Sequence, residues 1–173
     1  MTHPLKGLTL VLTLALSLVV SSCGSSNKKT AAGDDVSVSS TDDMDSSDVD
    51  LELNADSDSG KTGPLKTIYF GYNSASLSSD TKDKLRAAAT FLKTATSVDV
   101  QVEGHCDERG GVQYNLALGE RRAKAVRNYL VALGVSGSRV STISFGKERP
   151  VSFGHDESAW GQNRRGNFVI TAK

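Results

Sequence analysis

Val102-Glu-Gly-His-Cys-Asp-Glu-Arg-Gly-Gly111 gathers a histidine, a thiol, three carboxylates and an arginine among glycines. Such residues serve zinc coordination, a Cys–His nucleophile, or recognition of a charged ligand. The first two demand convergence. His105, Cys106 and Asp107 are consecutive, so their side chains diverge. No His-x-x-x-His or Cys-x-x-Cys pair stands with them, and His155 is the one other histidine beyond residue 63. Zinc needs three or four convergent ligands, and a thiolate needs an aligned base. We therefore expect no metal, no cofactor and no catalytic residue here, and a non-enzymatic protein. Charged-ligand recognition and a plain polar turn both stay open for this loop.

A second group lies downstream in Asn115-Leu-Ala-Leu118-Gly-Glu-Arg-Arg122-Ala123. Asn115 and Arg122 are about two helical turns apart and share one side of a helix, at the edge of its apolar stripe. An arginine so placed buries its stem and presents a planar fork suited to a carboxylate. Asp107 is the complementary acceptor for an ammonium. Asp107 and Arg122 together would hold a zwitterion; the competing reading is a plain Asp107–Arg122 salt bridge.

The elements that must position these groups follow from periodicity. Lys66–Tyr72 is β-branched and aromatic, a first strand, and Val98, Val100 and Val102 alternate as a second. Leu85, Ala88, Ala89 and Leu92 place a helix over 80–94. A longer helix spans 112–133, with Leu116, Ala123, Val126, Leu130 and Leu133 as its stripe and Gly134 as its stop. Strands follow at 139–145 and 166–171, with a turn at Pro150 and a helical stretch near 156–163 between them. The expected fold is an α/β sandwich of β-α-β-α-β-β order, with two main helices on one face of a mixed four-stranded sheet. The 102–111 loop then leaves the carboxyl end of a strand, where open sheets of this kind bind ligands.

Residues before the head carry a different message. Lys6 precedes the thirteen-residue apolar run Leu8–Val20, which is shorter than the ~20 residues of a membrane-spanning helix. Residues 1–22 read as an export signal. Val20-Ser-Ser-Cys23 resembles the bacterial lipobox, which implies lipidation of Cys23, and Gly24 suits an outer-membrane destination. Acyl chains contribute ~0.8 kcal/mol per buried methylene, so such an anchor is durable. Residues 23–63 hold ten acidic side chains against three lysines, amid Ser, Thr and Gly, and are expected to form a disordered tether. The head, residues 64–173, carries sixteen Lys and Arg against ten Asp and Glu. Export argues against nucleic acid as the partner of that surplus. With Cys23 lipidated, Cys106 is a lone thiol and is expected to be packed.

Five blocks in order, Tyr69-Phe-Gly-Tyr-Asn73, Val102–Gly110, Tyr114–Ala123, Phe145-Gly-Lys-Glu-Arg-Pro150 and Asn163-Arg-Arg165, resemble the OmpA-like peptidoglycan-binding family. The resemblance covers nearly all of 66–170 and implies non-covalent binding of the peptidoglycan stem peptide through meso-diaminopimelate. It carries the ligand's charged ends onto Asp107 and Arg122, with Asn115, Leu118, Phe70, Gly71 and Arg164 around them. It also implies a TolB-like periplasmic propeller as partner, a place in the Tol envelope system, and attachment to the outer membrane facing the periplasm. Gly71 and Asn73 stand where many members have aspartate, and Cys106 where Ala or Thr is usual. On this reading Gly104 and His105 shape the turn, while Glu108 and Arg109 face solvent or a partner. A wall-binding lipoprotein outside the Tol system and a wall hydrolase are the alternatives.

Overall fold

The computed structural model describes residues 51–173. The export signal, Cys23 and residues 23–50 of the expected tether lie outside the described residues. Strand β1 (Ile68–Tyr69) leads to helix α1 (Ser79–Thr94), β2 (Asp99–His105) and α2 (Val112–Ala132). After these come β3 (Val140–Gly146), a short α3 (Glu157–Asn163) and β4 (Arg165–Ala172). The sheet order is β1-β4-β2-β3; β2 and β3 are parallel, and β4 is antiparallel to both β1 and β2. The mixed four-stranded α/β expectation holds. Strand β1 is shorter than the sequence suggests.

Both ends of α1 and the carboxyl end of α2 are closed by particular residues. Ser78 caps α1 by accepting the Thr81 N–H at 3.2 Å. At the other end the Arg139 guanidinium donates to the carbonyls of Leu92 (2.7 Å) and Ala95 (2.6 Å) and to that of Val98. One side chain thus satisfies carbonyls that the helix end leaves open, and ties them to the start of β2. Gly134, at φ +93°, follows the end of α2 in the left-handed region where glycine is unstrained.

The core is one cluster: Leu85, Ala88, Ala89 and Leu92 from α1 and Ala123, Val126 and Leu130 from α2 meet Val100, Val102, Phe168 and Ile170 of the sheet. The α2 stripe departs from the sequence reading. Leu116 and Leu133 are only half-buried, whereas Asn115, Leu118, Gly119 and Arg122 are buried. The helix therefore turns a polar segment inward at its first turns. It sits very close to β2 there: a Cβ on Gly104 would lie 1.9 Å from the Gly119 carbonyl oxygen. Gly104 is thus required for strand–helix approach rather than for the turn, which corrects the expectation above.

The tether expectation also needs correction between residues 51 and 63, because this stretch is folded onto β4. Asn54 N–H donates to the Ile170 carbonyl (2.9 Å), Ile170 N–H to Ala55 (3.0 Å), and Ser57 N–H to Phe168 (2.9 Å). Strand β1 pairs only with Arg165 and Gly166, so this strap covers the rest of the β4 edge. Leu51 and Ala55 enter the core, and Asp58 pairs with buried Arg165 at 2.7 Å. Composition misled because the strap's serines and aspartates are hydrogen-bonding partners of the fold: Asn167 Oδ1, for example, accepts from Ser57 Oγ at 2.7 Å.

Candidate functional site

At the carboxyl end of β2 the chain enters Cys106–Gly111 and then α2. A cavity of about 150 Å³ opens there, lined among others by Tyr72, Asp107, Arg109, Asn115, Leu118 and Arg122. Four expected residues, Asp107, Arg122, Asn115 and Leu118, meet in it. Phe70, Gly71 and Arg164 stand behind the lining. Phe70 lies beneath Arg122, with its ring centroid 5.2 Å from the guanidinium carbon. The Gly71 carbonyl accepts from Arg122 Nη2 at 3.0 Å, and Arg164 reaches Asp107 from beneath at 3.4 Å. Tyr114 donates to Asn73 Oδ1, closing the rim.

Arg122 is wholly buried. Its Nε donates to the Ser74 carbonyl (2.8 Å), Nη1 to that of His105 (2.7 Å) and to Cys106 Sγ (3.4 Å), and Nη2 to Gly71. Among the described residues these are all neutral acceptors, and no carboxylate lies within ion-pairing distance. The plain Asp107–Arg122 salt bridge is not formed. Of the five guanidinium N–H groups, one on Nη2 is left without a partner among the described residues. Burial pulls the Arg122 pKa down, with the charge of Asp107 opposing.

Asp107 is 5% exposed and saturated. Its Oδ1 accepts from the backbone N–H (3.1 Å) and Nε (3.2 Å) of Arg109, and its Oδ2 from Arg109 Nη2 (2.6 Å) and Arg164 Nη1. Burial pushes its pKa up, but the hydrogen bonds and charge of Arg109, with help from Arg164, outweigh that and hold it below the usual carboxylate range. Asp107 is therefore ionised at neutral pH.

Arg109 corrects the sequence reading, which turned it toward solvent or a partner. Its guanidinium is sandwiched between the rings of Tyr72 (4.1 Å) and Trp160 (4.0 Å). Trp160 comes from α3 and donates to Glu108, which also meets His155 at 2.8 Å. Only the tertiary fold brings residues 72, 109 and 160 together. The Asp107-x-Arg109 spacing was the sole signal in the sequence. His105 does not shape an exposed turn either: it is 1% exposed, stacked on Phe145 at 5.6 Å, with Nε2 3.4 Å from Glu103. Burial lowers its pKa, against the opposing pull of Glu103, and keeps it neutral. Cys106 is packed, as expected, with Sγ 3.4 Å from the Asn115 carbonyl, and burial raises its pKa. Such a thiol stays protonated and weakly nucleophilic. Asn115 Nδ2 holds the loop by donating to the Arg109 carbonyl at 2.9 Å.

The OmpA family profile matches residues 69–164, from β1 to the end of α3, and so takes in every residue of this site. The chain belongs to the OmpA family. The OmpA-family relatives include the peptidoglycan-associated lipoprotein of Pasteurella multocida, 40% identical over 93% of this chain and 97% of the relative. The peptidoglycan-associated lipoprotein of Pseudomonas aeruginosa is 50% identical over 63% of this chain, a match spanning 64% of that relative. Among solved structures, the peptidoglycan-associated lipoprotein from Burkholderia pseudomallei aligns with TM-score 0.59 and 42% identity, over 60% of this chain and 88% of that one.

Proposed function

We propose that this protein is an outer-membrane lipoprotein that binds peptidoglycan without covalent chemistry. In this reading it ties the membrane to the wall through the stem-peptide meso-diaminopimelate. The observation that carries it is the buried Arg122 guanidinium, bonded only to neutral acceptors and set beside the ionised Asp107 at one cavity. A buried cation without a counter-charge is unfavourable, and a ligand carboxylate supplies what is missing. Asp107 takes the ligand's ammonium, and Asn115 and Leu118 fix the walls. The names of the relatives support peptidoglycan as the polymer. The lipobox-like Val20–Cys23 supports the anchor. A TolB-like periplasmic protein is the second partner, in a Tol–Pal assembly serving envelope integrity and division.

Cosedimentation with diaminopimelate-type and lysine-type walls tests this. The protein should pellet with the first and much less with the second. Asp107→Asn removes a charge-assisted bond worth about 1.5–3 kcal/mol, so it should weaken binding by roughly tenfold or more. A folded Asp107→Asn protein that pellets like the wild type overturns the reading.

A further inference from the structure

Asp107 has no vacancy for a ligand in the structure described above. A carboxylate offers about four acceptor positions, and here four donors fill them: the Arg109 backbone N–H, its Nε, its Nη2, and Arg164 Nη1. An incoming ammonium must replace one. Two of the four, the Arg109 backbone N–H and Arg164 Nη1, are fixed in place, and the other two belong to one guanidinium. The Arg109 N–H belongs to the backbone turn. Arg164 is 8% exposed and is held by the Phe70 carbonyl at 3.1 Å and by Glu157. The Arg109 guanidinium is different. Its side chain is 30% exposed, it lines the cavity, and a second carboxylate oxygen, Glu157 Oε2, lies 3.8 Å from its Nη2. Tyr72 and Trp160 form a two-sided slot around this planar cation, its guanidinium carbon 4.1 and 4.0 Å from their ring centroids.

We propose that Arg109 is an internal competitor: its guanidinium occupies the ammonium seat on Asp107, and an arriving ligand ammonium displaces it along the Tyr72–Trp160 slot to Glu157. The proposal rests on the reading that Asp107 receives an ammonium, and it adds a specificity device to it. Asp107 never stands buried and unpaired, because one cation replaces another. Neutral ligands cannot drive the exchange, so the occupant sets a threshold that only a cationic group passes. Glu157, 67% exposed, is the receiving group and needs no burial for that role.

The test is the affinity of a soluble diaminopimelate-containing muropeptide for the full chain, measured by calorimetry alongside thermal unfolding. Removing the competitor should tighten binding, so Arg109→Ala is expected to lower Kd by threefold or more. Arg109→Gln, which keeps much of the stem but no charge, should do the same and stands in if the alanine variant fails to fold. Glu157→Gln, which takes away the receiving carboxylate, should raise Kd by about twofold to threefold. In ¹⁵N spectra of the wild type, the Arg109 side-chain Nε resonance should shift on ligand addition. Unchanged or weaker binding by folded Arg109 variants, with Asp107→Asn still weakening it tenfold or more, overturns the competitor while sparing the ammonium reading. Asp107→Asn binding normally removes both.

Discussion

Arg122 is the residue on which the structure alters expectation most, and Arg122→Met measures why. Methionine keeps much of the buried stem volume and removes the guanidinium. The Gly71 carbonyl would keep a partner, because the Ser74 N–H also donates to it at 3.3 Å. The Ser74 and His105 carbonyls would lose donors now at 2.8 and 2.7 Å. The buried His105 carbonyl left unmet costs about 1–3 kcal/mol and the half-buried Ser74 carbonyl at most as much, so the gross penalty reaches no more than about 6 kcal/mol. Relief from desolvating a cation returns part of it. We expect a net loss of about 2–4 kcal/mol. An unfolding entropy of ~2.1 cal/mol/K per residue over roughly 120 residues turns this into a fall in Tm of about 8–16 °C. Circular dichroism melts of the unlipidated protein read it directly. Arg122→Lys should fall between the two, since an ammonium cannot reach the separated carbonyls that the fork spans. A methionine variant melting within about 2 °C of the wild type would refute the claim that this arginine fastens the 71–74 loop to α2.

Three further outcomes follow from the same geometry. Gly104→Ala sets a Cβ 1.9 Å from a backbone oxygen, where ordinary contacts lie at 3.4–4 Å; α2 must retreat, and equilibrium unfolding in urea should show a loss of about 3 kcal/mol or more. Asp58→Ala strands Arg165, which is 4% exposed; because Asp58 itself is 21% exposed, we expect about 2–3 kcal/mol rather than the full penalty of a buried pair, together with faster amide exchange at Asn54 and Ser57. His105 makes stability depend on pH: burial lowers its folded pKa, so its contribution is complete above the unfolded value of about 6.5 and is lost as pH falls toward the folded one. Exposed His155, raised by Glu108, runs the opposite way, so a His155→Ala background isolates the effect. In that background, unfolding free energy should be lower at pH 5.5 than at 7.5, and His105→Gln should flatten the difference.

Local physics in the chain determined the elements and their order. Alternating valines at 98–102, the 3.6-residue spacing of Leu85, Ala88, Ala89 and Leu92, and Gly134 as a stop describe conformations set by neighbours, and each appears where its pattern lies. Convergence of Asp107, Asn115 and Arg122 was legible for the same reason, since a strand–loop–helix unit carries all three, whereas Leu118 entered only through the family resemblance. What these groups bond to was not. Arg122 meets carbonyls from residues 71, 74 and 105, and Arg109 meets rings from residues 72 and 160. Such contacts depend on how β1, α2 and α3 dock, which no local spacing encodes. The strap at 51–63 was hidden likewise: its composition is that of solvated chain, and only the bare edge of β4, left uncovered by a two-residue β1, gives it a place to pair.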